Sequence, residues 1–163
     1  MSGAPFVAKR LTRAYRQTIH AAADAVFPLL CPVREAEWLD GWRFTMIFSQ
    51  SGRVEAGAVF STPGDGEPDT VWIVTRHDAT QRLVEFTRIT PGSRTCVLRI
   101  GVTTRDDMSA FVEIAYTYTA ISEAGNAFID DFTEEKFLRA VTFWERSMNH
   151  WLATGRRLPS SVQ

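Results

Sequence analysis

A chain of 163 residues fits one domain of ordinary size and leaves no room for a second. Hydrophobic residues make up 45% and charged residues 23%, a globular balance that excludes disordered, collagenous and mucin-like chains. The formal net charge is −1, with 16 Arg and two Lys among the cations, which excludes bulk electrostatic attraction to nucleic acid or to an anionic membrane.

Two cysteines, Cys31 and Cys96, lie far apart in apolar surroundings and read as buried reduced thiols. With no CxxC and no Cys/His cluster, nothing suggests zinc. The N-terminus has no basic stretch followed by an apolar one, and the longest apolar run, Ala21 to Cys31, is broken by Asp24 and Pro28. It falls far short of the roughly 20 residues that a membrane span needs. The expectation is a cytoplasmic protein, a monomer or a weak homodimer, built as a single domain over residues 1–163 with loose tails at 1–8 and 158–163.

In chain order, Lys9 to Ile19 is polar, β-tolerant and weakly alternating, and reads as a strand. Ala25 to Leu30 has a helical pattern that Pro28 and Pro32 limit to a turn or two. A second short helical segment, Val33 to Leu39, ends at Asp40-Gly41. From Trp42 the period becomes two, with Phe44, Met46 and Phe48 on one face and Arg43, Thr45, Ile47 and Ser49 on the other. Ser51-Gly52 offers a hairpin turn into a strand that sets Ala56, Ala58 and Phe60 on one side. Thr70 to Arg76 is apolar on both faces and reads as a covered central strand. Three further strands follow. Val84, Phe86 and Arg88 share a face, as do Cys96, Leu98, Ile100 and Val102, and then Ala110, Val112, Ile114, Tyr116 and Tyr118. After Ser122 the period changes to 3.6, with Phe137, Val141, Trp144, Met148 and Trp151 on one stripe. Asp131 with Glu134 resembles a capping box, the apolar Phe128, Ile129 and Phe132 allow a start as early as Ala127, and Gly155 stands where a helix-ending glycine belongs.

One strand, two short helices, six meandering strands and a long C-terminal helix predict an α+β fold. It is a curved antiparallel sheet of about seven strands with the helix across its concave face. A twisted sheet of this size curls, so a straight helix of roughly 30–40 Å laid across it stands off in the middle. The architecture therefore predicts a cavity between helix and sheet.

This order resembles the START-like (SRPBCC) superfamily, the helix-grip proteins that include pollen-allergen-type proteins and bacterial polyketide cyclases. The segments Val26-Phe-Pro-Leu-Leu-Cys-Pro-Val-Arg-Glu35, Glu37-Trp38, Gly41-Trp42 and Tyr116-Thr-Tyr-Thr119, with the Gly125-Asn126 step, are similar to a bacterial branch of that group. The resemblance spans roughly residues 8 to 157. It implies a helix-grip fold, and leaves function open among carriers, cyclases, chaperone activators and hydroxylase domains.

The expected wall of the cavity comprises Phe44, Met46, Phe48, Phe60, Phe86, Leu98, Ile114, Tyr116 and Tyr118 from strands, faced by Phe137, Val141, Trp144 and Met148 from the helix. The other reading of these residues is a plain packed core. Trp72 joins the set although its strand does not fix its parity. Trp38 and Trp42 would be gate residues in a lid formed by the short helical segment. Glu35 and Glu37 on that segment read either as exposed carboxylates paired with Arg34 or Arg43, or as part of the lid. Arg88 shares the inward parity of Phe86. It therefore sits at the mouth paired with Glu35 or Glu37, or receives an acidic or carbonyl group of a ligand.

His20, His77 and His150 are far apart and form no HxxxD or HxxxH pair, and Lys9 and Lys136 are poorly placed for amine chemistry. No GxSxG, P-loop or GxGxxG occurs. No catalytic residue, metal or cofactor is assigned. The leading expectation is a carrier or sensor that binds a small hydrophobic molecule, aromatic or polyketide- or lipid-like. The alternative is a cyclase or dehydratase acting on a polycarbonyl substrate in the same cavity, and a third is a protein-interaction module.

Overall fold

The computed structural model describes residues 3–160. Its elements are β1 (Arg10–Ile19), α1 (Ala23–Val26), a 3-10 turn (Phe27–Leu29), α2 (Pro32–Trp38), β2 (Thr45–Phe48), β3 (Val59–Thr62), β4 (Thr70–Asp78), β5 (Leu83–Thr90), β6 (Arg94–Asp106), β7 (Ser109–Ala120), α3 (Glu123–Asp131) and α4 (Glu134–Thr154). The strands form one antiparallel sheet in the order β1-β7-β6-β5-β4-β3-β2, so the six-strand meander holds and β1 closes onto β7. Residues paired across antiparallel strands share a face. The inward face is therefore a stack of rows: Phe60, Trp72, Arg88, Cys96 and Tyr118 in one, then Val74, Phe86, Leu98 and Tyr116 in the next. Trp72 thus points inward, while Val71 and Ile73 stay half-buried on the outer face.

Two rows of polar contacts fix α4 to one side of this sheet. Tyr15, the Thr18 amide and the His20 amide donate to Glu145 and Asn149, Asn149 donates back to the Thr18 carbonyl, and the buried Gln17 amide donates to the Val141 carbonyl. These bonds satisfy groups along β1 and hold the helix over β1 and β7. The half of the sheet nearer β3 and β4 is covered instead by α2 and the segment through Trp42 and Phe44, while α1 packs on β6 and β7. The 21 residues of α4 give it a length of roughly 32 Å.

Several local expectations change. The C-terminal helical region is two helices: α3 ends at Asp131 and α4 starts after Thr133, whose side chain accepts from the Lys136 amide at 3.2 Å. The cap is therefore Thr133, not Asp131, because Asp131 still belongs to α3 and its carboxylate is paired with Lys136. Gly155 does end the helix, in the left-handed region at φ 71°. The β2–β3 connection is wider than a hairpin at Ser51-Gly52. It runs from 49 to 58 and is organised by Glu55, which accepts from Ser49 and from the Ser51 amide and hydroxyl. A register shift between Met46 and Phe48 reverses the strand's parity, so Phe48 is 63% exposed on the edge strand instead of facing the cavity.

Gly125 lies inside α3 and not at a step into it. A Cβ there would sit 1.9 Å from the Ser93 carbonyl oxygen, so only glycine lets α3 approach the β5–β6 turn. Its neighbour Asn126 is buried and holds the N-terminal segment, accepting from the Lys9 amide and donating to the Val7 carbonyl. At the other end Ser160 donates to Asp40 through both its amide and its hydroxyl. Of the terminal segments expected to be loose, residues 1–2 and 161–163 lie outside the described residues.

Candidate functional site

A cavity of about 80 Å³ lies where α4, α2 and the sheet fail to meet, lined by Pro32, Glu35 and Leu39 from the α2 region, Trp42, then Phe60, Trp72, Phe86, Leu98 and Tyr116 from the strands, and Trp144 from α4. Its cause is the placement just described: α4 is tied to β1, and the opposite half of the concave face is roofed by a seven-residue helix too short to fill it. The aromatic side chains close most of the gap by packing on one another. Phe60 stacks on Trp72 at 5.2 Å, Phe86 meets both edge-on, and Trp42 stands edge-on to Trp72. What remains is below the roughly 300–1,000 Å³ of a drug-sized site, yet larger than one water needs. Outside Leu39, Trp42 and Trp144 the surface opens into a cleft of about 320 Å³ that also reaches Asp40, Gly41, Val141 and Phe143.

The expected wall residues fall into groups. Trp42, Phe60, Trp72, Phe86, Leu98, Tyr116 and Trp144 line the cavity. Val141 lies in the outer cleft. Phe44 and Met46 are half-buried against the same core, Phe44 meeting Trp42 and Phe60. Ile114 and Met148 are fully packed core. Trp38 is also core and no gate: it has no exposed surface, stacks with Trp144 and donates its indole N–H to the Leu29 carbonyl at 3.1 Å. Trp42 stands at the cavity's rim, its indole N–H bound to the Pro32 carbonyl at 2.9 Å. Tyr118 belongs to a second cluster with Phe128 and Phe132, which Phe137 joins through Phe132 and Tyr116.

Arg88 meets neither Glu35 nor Glu37. Its guanidinium donates to the Tyr118 hydroxyl and lies over the rings of Trp72, Tyr116 and Tyr118 at 4.8, 5.2 and 5.4 Å. Burial works against its charge, but Tyr118, Cys96 and Tyr116 outweigh it and hold the group above its ordinary pKa. The cation is thus enclosed by aromatic faces without a carboxylate among the described residues, and it sits behind the cavity wall rather than in it.

The two carboxylates of α2 separate. Glu37 is exposed and pairs with Arg34 at 2.9 Å. Glu35 lines the cavity, and its side chain has no hydrogen-bond or ionic partner among the described residues. Burial alone pushes its carboxyl up to about 8, so it is largely an uncharged acid at neutral pH. The spacing carried a signal for this: Pro32, Glu35, Trp38 and Leu39 fall at i, i+3, i+6 and i+7, one face of a helix, and Glu37 faces away. Tyr116, with its hydroxyl also unpartnered, is raised by the same burial. The indole N–H of Trp144 is buried and has no acceptor among the described residues.

Cys31 and Cys96 are both buried and unbridged. Among the described residues, no helix is long and apolar enough to cross a membrane.

Neither a scan against protein-family models nor a search of curated proteins gives a match. Solved structures do match. A norcoclaurine synthase point mutant from Thalictrum flavum, in complex with a transition-state analogue, aligns with a TM-score of 0.67 at 13% identity, covering 93% of this chain and 99% of that one. The Zhui aromatase/cyclase from Streptomyces sp. R1128 aligns at 0.65 and 10%, covering 92% and 100%. Ara h 8.0201 aligns at 0.61 and 10%, covering 90% and 99%. At these identities the likeness concerns architecture, and it extends over nearly the whole chain. The protein therefore shares the helix-grip fold of these structures.

Proposed function

We propose that the protein binds a small hydrophobic molecule, as a carrier or sensor, in the cavity between the sheet, α2 and α4. The observation that carries this reading is the cavity itself: aromatic on nearly every side, holding few polar groups, and continued outward past Leu39 and Trp42 into a surface cleft. Apolar concave space of this kind favours flat, apolar ligands through area removed from water and ring stacking. As it stands, the space is about half the roughly 150 Å³ of an engineered cavity that takes benzene. A larger ligand joins cavity and cleft by displacing Leu39 and Trp42, a movement that Gly41, at φ 83°, is suited to hinge. The cyclase or dehydratase alternative needs polar side chains free to polarise a substrate carbonyl. Arg88 and Tyr116 are the first candidates for that role: Arg88 is engaged by Tyr118 and by aromatic faces, while Tyr116 keeps its hydroxyl free at the cavity, so this second reading rests on Tyr116.

The test is a filled cavity. Leu98→Phe places extra volume in the lining, so native mass spectrometry of the protein from its own organism should show an apolar adduct on the wild type. The adduct should be lost from the variant, whose circular dichroism is unchanged. An adduct held equally by both proteins would place the ligand elsewhere.

A further inference from the structure

Three polar groups line the cavity and none is used by the fold. Glu35 comes from α2, Tyr116 from β7 and Trp144 from α4, and each has its side-chain hydrogen-bonding group unpartnered among the described residues. The other indoles around the cavity are engaged: those of Trp38, Trp42 and Trp72 donate to the Leu29 carbonyl, the Pro32 carbonyl and the Thr62 hydroxyl. A buried donor without an acceptor costs about 1–3 kcal/mol, and the Trp144 indole N–H is one; Glu35 and Tyr116, half-buried, line the same small space with their polar groups free.

We propose that Glu35, Tyr116 and Trp144 form the polar anchor of the ligand site and receive an uncharged aromatic molecule through its carbonyl oxygen. This rests on the ligand-binding reading above. The ligand's chemistry follows from the donor inventory. The indole N–H can only donate. Glu35, held largely protonated by burial, brings an O–H, and Tyr116 brings another. Three donors around one space call for an acceptor, and a carbonyl oxygen with two lone pairs satisfies two of them directly. A cationic ligand is disfavoured because Arg88 already lies over the Trp72 and Tyr116 rings that form the wall. The apolar remainder of the lining stacks on the ring that carries the carbonyl.

Isothermal titration with acetophenone, ethylbenzene and benzylamine tests this, since the three share a ring and differ in the group presented. The expected result is acetophenone binding about tenfold more tightly than ethylbenzene, with benzylamine weakest. Trp144→Phe keeps a ring and removes the N–H, so it should weaken acetophenone by roughly tenfold and leave ethylbenzene unchanged. Glu35→Leu, made separately, should erase the same preference. Ethylbenzene binding as well as acetophenone, or Trp144→Phe weakening both equally, would overturn the anchor and leave the apolar cavity reading standing. Tightest binding of benzylamine would make Glu35 a counter-ion and overturn the proposal too. Binding of none of the three would defeat the cavity reading itself.

Discussion

Glu35 holds its proton because it is desolvated, and that has a measurable cost. Its carboxyl titrates at about 8 in the fold against 4.5 for the free side chain. Between those values the unfolded chain releases a proton that the folded chain keeps, so this group's contribution to stability declines as pH rises from 4.5 towards 8 and levels beyond. The titratable neighbour across the cavity, Tyr116, is raised too and stays neutral over this range, and the cation behind it, Arg88, is fixed in charge. Glu35→Gln should therefore stabilise the protein by about 1–3 kcal/mol more at pH 8.5 than at pH 5.5, measured by urea denaturation. An equal effect at both pH values would mean the carboxyl is not desolvated. Two apolar residues give a contrast at the same scale. Trp38→Ala should cost about 3–5 kcal/mol, since Trp38 is wholly enclosed, whereas Phe48→Ala should change stability by under about 0.5 kcal/mol. Denaturation midpoints of the two variants check both.

Among the elements, strand parity was readable wherever the ladder is regular. Phe60, Phe86, Leu98 and Tyr116 were all placed on the inward face by alternation alone, and the structure puts them together. Parity failed at Phe48 because a bulge adds a residue without leaving a mark in composition, and one residue is enough to turn a side chain to the other face. The helical pattern after Ser122 was legible as apolar periodicity, but the break between α3 and α4 was not. Phe128, Ile129, Phe132 and Phe137 are apolar on both sides of it, and the cap is a threonine next to a more conspicuous aspartate. Thr133→Ala should accordingly destabilise the protein by about 1 kcal/mol. Asp131→Ala, which loses only an exposed ion pair with Lys136, should do less than half as much. Thermal melts of the two variants decide which residue caps α4. The site was legible on its sheet side and not on its α2 side. Helical spacing pointed Glu35 inward beside Trp38, but a carboxylate on a short segment with Arg34 and Arg43 close by reads equally well as a surface charge.

For the whole molecule, the arrangement follows from what each element is tied to. Side-chain bonds to Glu145, Asn149 and the Val141 carbonyl commit α4 to β1, so it cannot also close the far half of the concave face. The short α2 and the aromatic residues around Trp42 and Trp72 cover the remainder incompletely, and the cavity is the residue of that mismatch. Nearby, Ser160 bonds to Asp40, and Arg157 adds to the pull that holds the Asp40 carboxyl below its usual range. The tail after α4 is thereby joined to the loop that borders both cavity and cleft.

A small aromatic ligand is expected to occupy this particular space. The most direct measurement is a proton–nitrogen correlation spectrum of the tryptophan indoles during titration with acetophenone. The Trp42, Trp72 and Trp144 signals should shift together along one saturating curve of one-to-one stoichiometry, with Trp151 unmoved. Indole signals that stay fixed throughout, or shifts confined to the exposed Ile47 and Phe48 amides, would contradict it.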